Sequence, residues 1–300
     1  MLGGMKRRRI LLVLTLAAVA AAGLVLLWPR GPKEPVYQGK TLSQWIREAN
    51  APPVLDWNQP SSLQSNAAAR TAVRAIGTNA VPYLVSEFVR PESKWRTSFN
   101  RWASKHPTIP FRFADFDSRV LTAANGLGIL GRDAAPALPK LAEFLGDGRL
   151  GFTAAMAMGK AGDLAIPYLL KAIASTNTPA AENAGNSIAT HIRDAETAIP
   201  GLIQLLQHTN DATRRVAAWT LGALPSQSPP IVPALTAALT DPVPRVQAHA
   251  AHALARKGKS AMSAVPALLR LMTNSDPELA FAASNAVALL DPAALPARGP

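Results

Sequence analysis

Two small groups of side chains have residue types and a spacing that could support chemistry. His249 and His252 are three residues apart, so on a helix they share one face and could bind one metal ion. A catalytic zinc site needs a third protein ligand, and the nearest acidic residue, Asp241, lies before the helix. We therefore interpret the two histidines as solvated side chains and predict neither a metal site nor a cofactor.

Asp115 and Asp117 form the second group, on either side of Phe116. Two neighbouring carboxylates can act as an acid–base pair in catalysis. The structural alternative is that Asp117 or Ser118 caps a helix, since a short oxygen side chain accepts hydrogen bonds from free backbone N–H groups. The sequence contains no nucleophile elbow, HExxH motif, Walker loop or dinucleotide fingerprint. We predict no catalytic residue and a non-enzymatic protein.

The helices of this chain are predicted from two short sequence motifs, or phrases, that repeat with the same period. The first has the form apolar-Pro-x-Leu, and its prolines Pro200, Pro233 and Pro266 are 33 residues apart. The second is small-small-x-small-apolar, as in Ala217–Leu221 and Ala250–Leu254. Proline is tolerated in the first turn of a helix and alanine is the best helix former, so both phrases predict helices. A period of this length is typical of a solenoid, in which each unit buries its apolar face against the next.

The clearest copies are Ala123–Gly131, followed by Pro139, and Ala154–Gly162, followed by Pro167. They resemble HEAT repeats, in particular the short type of phycobilisome-lyase-like proteins. The resemblance covers residues 66–292 and implies an all-α, right-handed α-solenoid of about seven helical-hairpin units. Such repeats serve scaffolds, inhibitors and a few enzymes. The resemblance therefore leaves open a lyase-type alternative, in which the protein assists covalent attachment of a ligand.

The N-terminal segment is unlike the repeats. Lys6–Arg9 is a basic cluster, and Ile10–Trp28 is an uncharged run of 19 residues. As a helix this run would rise about 28 Å, close to the hydrocarbon thickness of a bilayer. It predicts a signal anchor in a bacterial inner membrane, with the N-terminus in the cytoplasm and the repeats outside it. The alternative is cleavage of a signal peptide, which would release a secreted protein.

The charge of the chain belongs partly to this segment. The formal net charge is +12, and removing the five basic residues Lys6–Arg9 and Arg30 leaves +7 for the rest (12 − 5). This balance favours an acidic partner or an anionic surface.

Four regions follow from these patterns. They are residues 1–32, the anchor; 33–66, a linker and helical cap; 67–292, the solenoid; and 293–300, a C-terminal tail. Thr41 or Ser43 is expected to begin the cap helix, because either side chain can accept a hydrogen bond from the first turn.

The period fails at one place. Pro82 and Pro139 are 57 residues apart, and the extra length lies in residues 90–116. A helix from Ser93 to Lys105 would place aromatic side chains on one face. The candidate partner-binding residues of this insertion are Trp95, Arg96, Arg101, Trp102 and Arg112.

Two interpretations of the insertion stay open. Its aromatic side chains can fold over the first repeat and shield the core there, or they can form a basic-aromatic contact surface for a protein or an anionic polymer. The same residue types bind single-stranded nucleic acid, but a location outside the cytoplasm argues against that partner.

A second candidate surface follows from the helices that begin at the prolines. If the positions two, three and six residues after each proline are buried, the positions one, four and eight residues after it point outward. The predicted ridge comprises Tyr83, Lys140, Tyr168, Lys171, Gln204, His208 and Arg270. We expect it to line the concave face, where tyrosine and arginine are common contact anchors. A solvated helix face is the alternative. The sequence thus predicts a protein–protein interaction scaffold, tethered to the membrane through residues 10–28.

Overall fold

The structure, a computed structural model, describes residues 31–51, 61–106 and 113–295. Within these ranges, the chain from Glu34 onward forms one compact unit. The predicted anchor at residues 10–28 and the candidate residue Arg112 lie outside the described residues. No helix of the described ranges is both long and apolar enough to span a membrane.

A small hairpin leads into the helices. Strand β1 (Val36–Tyr37) pairs antiparallel with β2 (Lys40–Thr41), and helix α1 (Leu42–Asn50) follows directly. Gln38 and Gly39 form the turn with positive φ angles of 48° and 77°. The all-α expectation missed this hairpin, because strands of two residues are too short to show the alternation of apolar and polar side chains.

Helix α1 begins as the sequence predicted. The Thr41 side chain accepts a hydrogen bond from the backbone N–H of Gln44, and the Gln44 side chain accepts one from the backbone N–H of Thr41, which completes a capping box. Leu42 and Ile46 are buried on one face of the helix. This face joins the hydrophobic core, so α1 covers the end of the solenoid.

Beyond the cap, two kinds of helix alternate. The A helices are rich in alanine; in the described chain they are α2 (Ser61–Ile76), α5 (Phe116–Leu130), α7 (Gly151–Ala161), α9 (Thr178–His191), α11 (Asp211–Ala223), α13 (Pro244–Lys257) and α15 (Pro277–Leu290). The B helices contain the repeated prolines and are shorter; they are α3 (Val81–Val89), α6 (Leu138–Ala142), α8 (Ile166–Ile173), α10 (Ile199–Leu205), α12 (Ile231–Ala238) and α14 (Val265–Leu271). Helix α4 (Lys94–Ser104) interrupts the alternation. The prediction of about seven units thus corresponds to seven A helices among the described residues, although α2 begins before the boundary expected at residue 67.

The B helices bury the face that their sequence predicted. Leu202 of α10 and Leu206, the residue that follows this helix, lie two and six residues after the proline and are buried, whereas Ile203 is half-buried. Leu169 and Ile173 of the preceding unit are fully buried at the equivalent positions. The helices therefore face one continuous core that runs through the stacked units.

Small residues let consecutive A helices approach very closely. A Cβ atom added at Gly222 of α11 would lie 2.5 Å from the Cα and Cβ atoms of Ala253 in α13. One added at Gly185 of α9 would lie 2.6 Å from Oγ1 of Thr220 in α11. Both distances are shorter than a van der Waals contact, so the spacing of these helices depends on the absence of a side chain.

Polar side chains also connect successive units. The Ser187 hydroxyl donates to the carbonyl oxygen of Ala155 at 2.6 Å, and the buried Lys257 ammonium donates to the carbonyl oxygen of Leu224 at 2.7 Å. Every buried side-chain nitrogen or oxygen of the described residues has a hydrogen-bond partner. The units are thus connected by directional bonds as well as by apolar contact.

We expect Gly222→Ala to destabilise the protein by about 1–3 kcal/mol, because the added methyl group meets the Ala253 backbone. Helix propensity alone predicts the opposite sign, a gain of up to about 1 kcal/mol. Gly148→Ala is the matched control, since a Cβ there meets no atom within 4 Å and its φ is not in the left-handed region. Urea unfolding followed by circular dichroism measures both. Equal or greater stability of Gly222→Ala would show that the A helices are not spaced by this glycine.

Candidate functional site

The insertion forms helix α4, close to the predicted range, and a small aromatic cluster. The ring centroids of Trp95 and Phe113 lie 4.9 Å apart, and those of Phe99 and Phe113 lie 5.4 Å apart. Trp95 and Trp102 nevertheless remain 60% and 49% exposed. The central rings, Phe99 and Phe113, are thus half-buried, and both indoles lie at the surface. Of the described aromatic residues of the insertion, only Phe116 packs against the solenoid core. The choice between shielding the core and contacting a partner stays open.

Tyr83 and Arg96, which were predicted from separate patterns, line the same cavity. This N-terminal cavity has a volume of about 310 Å³ and is lined also by Arg47 of α1, Glu87 of α3 and Arg119 of α5. Elements that are distant in the sequence thus meet at the point where the repeat period fails. Arg101, on α4, is exposed and does not line this cavity.

A buried carboxylate organises one wall of the N-terminal cavity. The Oε1 atom of Glu87 lies 2.8 Å from the Nη1 atom of Arg90. Glu87 also forms an ion pair with Arg119. The Tyr83 hydroxyl lies 3.4 Å from the Ser43 hydroxyl. Burial raises the pKa of Tyr83, so its phenol keeps the proton at neutral pH.

The two neighbouring aspartates have structural partners. Asp115, and not the predicted Asp117 or Ser118, caps helix α5: its Oδ1 atom accepts the backbone N–H of Ser118 at 2.7 Å. This hydrogen bond lowers the pKa of Asp115. Asp117 accepts from the Arg149 guanidinium at 2.9 and 3.2 Å. The cap prediction was wrong by two residues for Asp117 and three for Ser118, because α5 begins at Phe116 and the residue before it is Asp115.

A larger cavity lies on the A helices. It has a volume of about 390 Å³ and is lined by Glu182, Asn183 and Asn186 of α9, Arg215, Val216 and Trp219 of α11, and His249 of α13. A second cavity of about 290 Å³ shares Trp219 and His249 and continues along α13 to His252, Ala253 and Arg256. We call the residues of these two adjoining cavities the A-helix groove. It runs across three consecutive repeats.

The A-helix groove combines one aromatic wall with polar and basic side chains. The Arg215 guanidinium donates to Glu182 at 2.7 Å. His249 Nδ1 lies 2.9 Å from the carbonyl oxygen of Arg245, and because a carbonyl only accepts, Nδ1 carries the proton. Burial lowers the pKa of His249, so the ring is neutral at pH 7 and its Nε2 atom is a hydrogen-bond acceptor.

Sequence reasoning missed this groove although a signal was present. In each copy of the small-small-x-small phrase, the x position holds a larger side chain; in three successive copies it is Asn186, Trp219 and His252. All three are half-buried and line the groove. The ridge predicted from the sequence lies on the B helices, which are the other helix of each unit.

The histidine pair has no third candidate metal ligand among the described residues. Among those residues, no three His, Cys, Asp or Glu side chains are arranged to hold a metal ion. Asp241, the nearest acid by sequence, instead forms a bidentate pair with Arg214 at 2.6 and 2.9 Å. Arg214 also donates to the carbonyl oxygens of His208 and Thr209 at 2.9 and 3.1 Å. Arg214 and Asp241 therefore tie one unit to the next.

The predicted ridge on the B helices points outward for most of its members. Lys140, Tyr168, Lys171, Gln204 and Arg270 are exposed, whereas Tyr83 and His208 are half-buried. Of the seven residues, only Tyr83 lines one of the three cavities described above. Their placement on a concave face and their role in partner binding stay predictions.

The alternation of A and B helices defines an α-solenoid repeat protein. Models of known families match its C-terminal part: HEAT repeats match residues 232–297, the PBS lyase HEAT-like repeat matches 213–241, and the armadillo/beta-catenin-like repeat matches 197–224. Residues 213–297 thus match HEAT-type repeats.

Solved structures of similar architecture have low sequence identity to the chain. Human deoxyhypusine hydroxylase in complex with glycerol is 16% identical over 83% of this chain and 96% of that one, with a TM-score of 0.34. Kap121p is 15% identical over 83% of this chain and 32% of its own length, with a TM-score of 0.44. Computationally designed armadillo repeat proteins for modular peptide recognition are 16% identical over 83% of this chain and 100% of theirs, with a TM-score of 0.35. No curated protein is detectably similar in sequence.

We expect Asp241→Ala to lower the free energy of unfolding by about 3 kcal/mol, because it leaves the buried Arg214 guanidinium without its counter-charge. Asp163→Ala is the control: its pair with Arg132, at 3.6 Å, is exposed, and its loss should change stability by less than about 1 kcal/mol. Chemical unfolding of both variants tests this. An equal effect of the two substitutions would contradict a structural role of Asp241 between repeats.

Proposed function

We propose that this protein is a non-enzymatic scaffold that binds a segment of a partner protein in the A-helix groove. The observation that carries the proposal is the junction of two cavities, of about 390 and 290 Å³, across helices α9, α11 and α13. Each has about the volume of a small ligand site, and together they suit several side chains of one extended segment. A groove that crosses successive repeats is the binding surface that a solenoid can extend with each unit.

Trp219 is the expected anchor of this interaction. It lines both cavities and is half-buried, so one part of its ring is held by the fold while the rest is available for contact. Tryptophan is strongly enriched among residues that dominate binding energies, because it buries a large apolar area with few rotatable bonds.

The charges of the A-helix groove favour an acidic segment. Arg215 and Arg256 contribute two positive charges, and Glu182 contributes the one carboxylate of the lining. Glu182 already pairs with Arg215, which leaves Arg256, exposed on α13, as the cation best placed for a partner carboxylate. The net charge of +7 outside the N-terminal segment (12 − 5) adds a general attraction for acidic proteins.

We further propose that residues 10–28 anchor the protein in a bacterial inner membrane with the repeats outside the cytoplasm. The support is in the sequence: an uncharged run of 19 residues follows the basic cluster Lys6–Arg9. A partner would then be another extracytoplasmic or membrane protein.

Site-specific photocrosslinking in membranes tests the groove. A photoreactive amino acid at Asn186, in the groove, should give discrete protein adducts, and one at Gln204, on the exposed B-helix ridge, should not. Trp219→Ala should reduce the adducts from position 186 about tenfold or more, the loss expected for an anchor residue. Arg270→Ala is the matched control on the ridge and should leave them unchanged.

Mass spectrometry of the adducts identifies the partner, and circular dichroism confirms that each variant is folded. Adducts that form at Gln204 as readily as at Asn186, or that survive Trp219→Ala undiminished, would contradict binding in the A-helix groove. The first of these outcomes would favour the B-helix ridge.

A topology reporter tests the location. Alkaline phosphatase fused to the C-terminus should be active, because its disulfides form only outside the cytoplasm. The same fusion without residues 1–30 is the control and should be inactive. A green fluorescent protein fusion that is bright, together with an inactive phosphatase fusion, would contradict the proposed orientation. An N-terminal epitope tag that remains on the mature protein distinguishes an anchor from a cleaved signal.

A further inference from the structure

The N-terminal cavity has a lining that the scaffold role does not require. Its walls come from four parts of the chain: the segment from Glu34 to Arg47, helix α3 with Tyr83, the insertion with Arg96, and helix α5 with Arg119. The cavity is separate from the A-helix groove, whose residues all lie between Glu182 and Arg256.

The lining is strongly cationic. Its charged members are Arg47, Arg90, Arg96, Arg119, Glu34 and Glu87. Four guanidinium groups against two carboxylates leave a formal charge of +2 (4 − 2) in a volume of about 310 Å³. Such a concentration of positive charge attracts an anion.

Part of this charge is already compensated within the protein. Glu87 pairs with Arg90 and Arg119, and a Glu34 carboxylate oxygen accepts the backbone N–H of Ser43 at 2.6 Å. Arg47 and Arg96 differ, since no carboxylate of the described residues lies within 4.0 Å of either. Among the described residues, these two guanidinium groups therefore have no counter-charge.

Arg96 is also held in place. Its guanidinium lies 5.2 Å from the ring centroid of Phe113 and 5.8 Å from that of Trp95. Stacking on aromatic rings restricts the side chain without using its N–H donors. An arginine restricted in this way loses less conformational entropy when it binds an anion.

One hydroxyl group supplies a further donor. The Tyr83 hydroxyl has the Ser43 hydroxyl, 3.4 Å away, and the Glu34 carboxylate as neighbours, so the protons of these two hydroxyls already have partners within the protein. The Thr41 hydroxyl oxygen accepts the Gln44 N–H at 3.3 Å, which leaves its own O–H group to donate. The cavity can therefore donate hydrogen bonds from guanidinium groups and from this hydroxyl together.

We propose that the N-terminal cavity binds the phosphate group of a small phosphomonoester. A phosphomonoester carries close to two negative charges at neutral pH, which match the formal charge of the lining, and three acceptor oxygens, which match its several donors. Arginine forks bind phosphate oxygens in a bidentate manner. A carboxylate has one charge and two oxygens, so it uses fewer of these groups and binds more weakly. The volume leaves room for a small substituent on the phosphate.

Isothermal titration calorimetry on the purified full-length chain tests the proposal, with glycerol 3-phosphate, inorganic phosphate and acetate as probes at one ionic strength. Glycerol 3-phosphate should bind, and acetate should bind at least about tenfold more weakly. Arg96→Gln and Arg47→Gln should each weaken glycerol 3-phosphate binding about tenfold or more, the effect of one charge-assisted hydrogen bond. Arg101→Gln, an exposed arginine of the same helix α4 that does not line the cavity, should have no effect.

Three results would overturn the proposal: no binding of either phosphate probe, equal weakening by Arg96→Gln and Arg101→Gln, or acetate binding as tight as that of glycerol 3-phosphate. Arg47 lies on α1, outside the aromatic cluster. Arg47→Gln therefore still tests anion binding if Arg96→Gln disturbs folding. The crosslinking experiment on the A-helix groove can succeed or fail without affecting this result, because the two sites share no residue.

Discussion

The close approach of successive A helices is the constraint on which the rest of the molecule depends. Gly222 lies against the backbone of Ala253, and a single added methyl group would overlap it. Neither helix of a unit can bury its apolar face alone, so each unit is stable only when the next one reaches this distance. The small residues of the repeated phrase satisfy this requirement, and the connecting segments and B helices fill the space that remains.

This packing also places the side chains of the candidate binding surface. Because the A helices are close and in register, the one larger residue of each phrase lies beside its counterpart in the next unit, as Trp219 does between Asn186 and His252. Buried polar groups such as Arg214 and Asp241 hold the same units together from within. The same packing that stabilises the fold therefore forms the A-helix groove at the surface.

The break in the period has a different consequence. Helix α4 adds an arginine, Arg96, and an aromatic cluster to a solenoid end that α1 already covers. The result is a cavity between cap, insertion and first repeats, in which Glu87 orders two arginines and leaves two others, Arg47 and Arg96, without a carboxylate among the described residues. An irregular segment thus supplies charge where the regular repeats are mostly apolar.

The sequence by itself determined the helices, their buried faces and a helix start at Thr41 or Ser43, because these depend on residues within one or two turns of each other. Leu202 and Leu206 were predictable from their distance to a proline. Tertiary structure decided the A-helix groove and the N-terminal cavity, since Tyr83 meets Arg47 and Arg119, and Trp219 meets His249, only after distant segments have stacked. It also decided that Asp241 pairs with Arg214, because the two residues are 27 positions apart in the sequence and come into hydrogen-bond distance only in the folded chain.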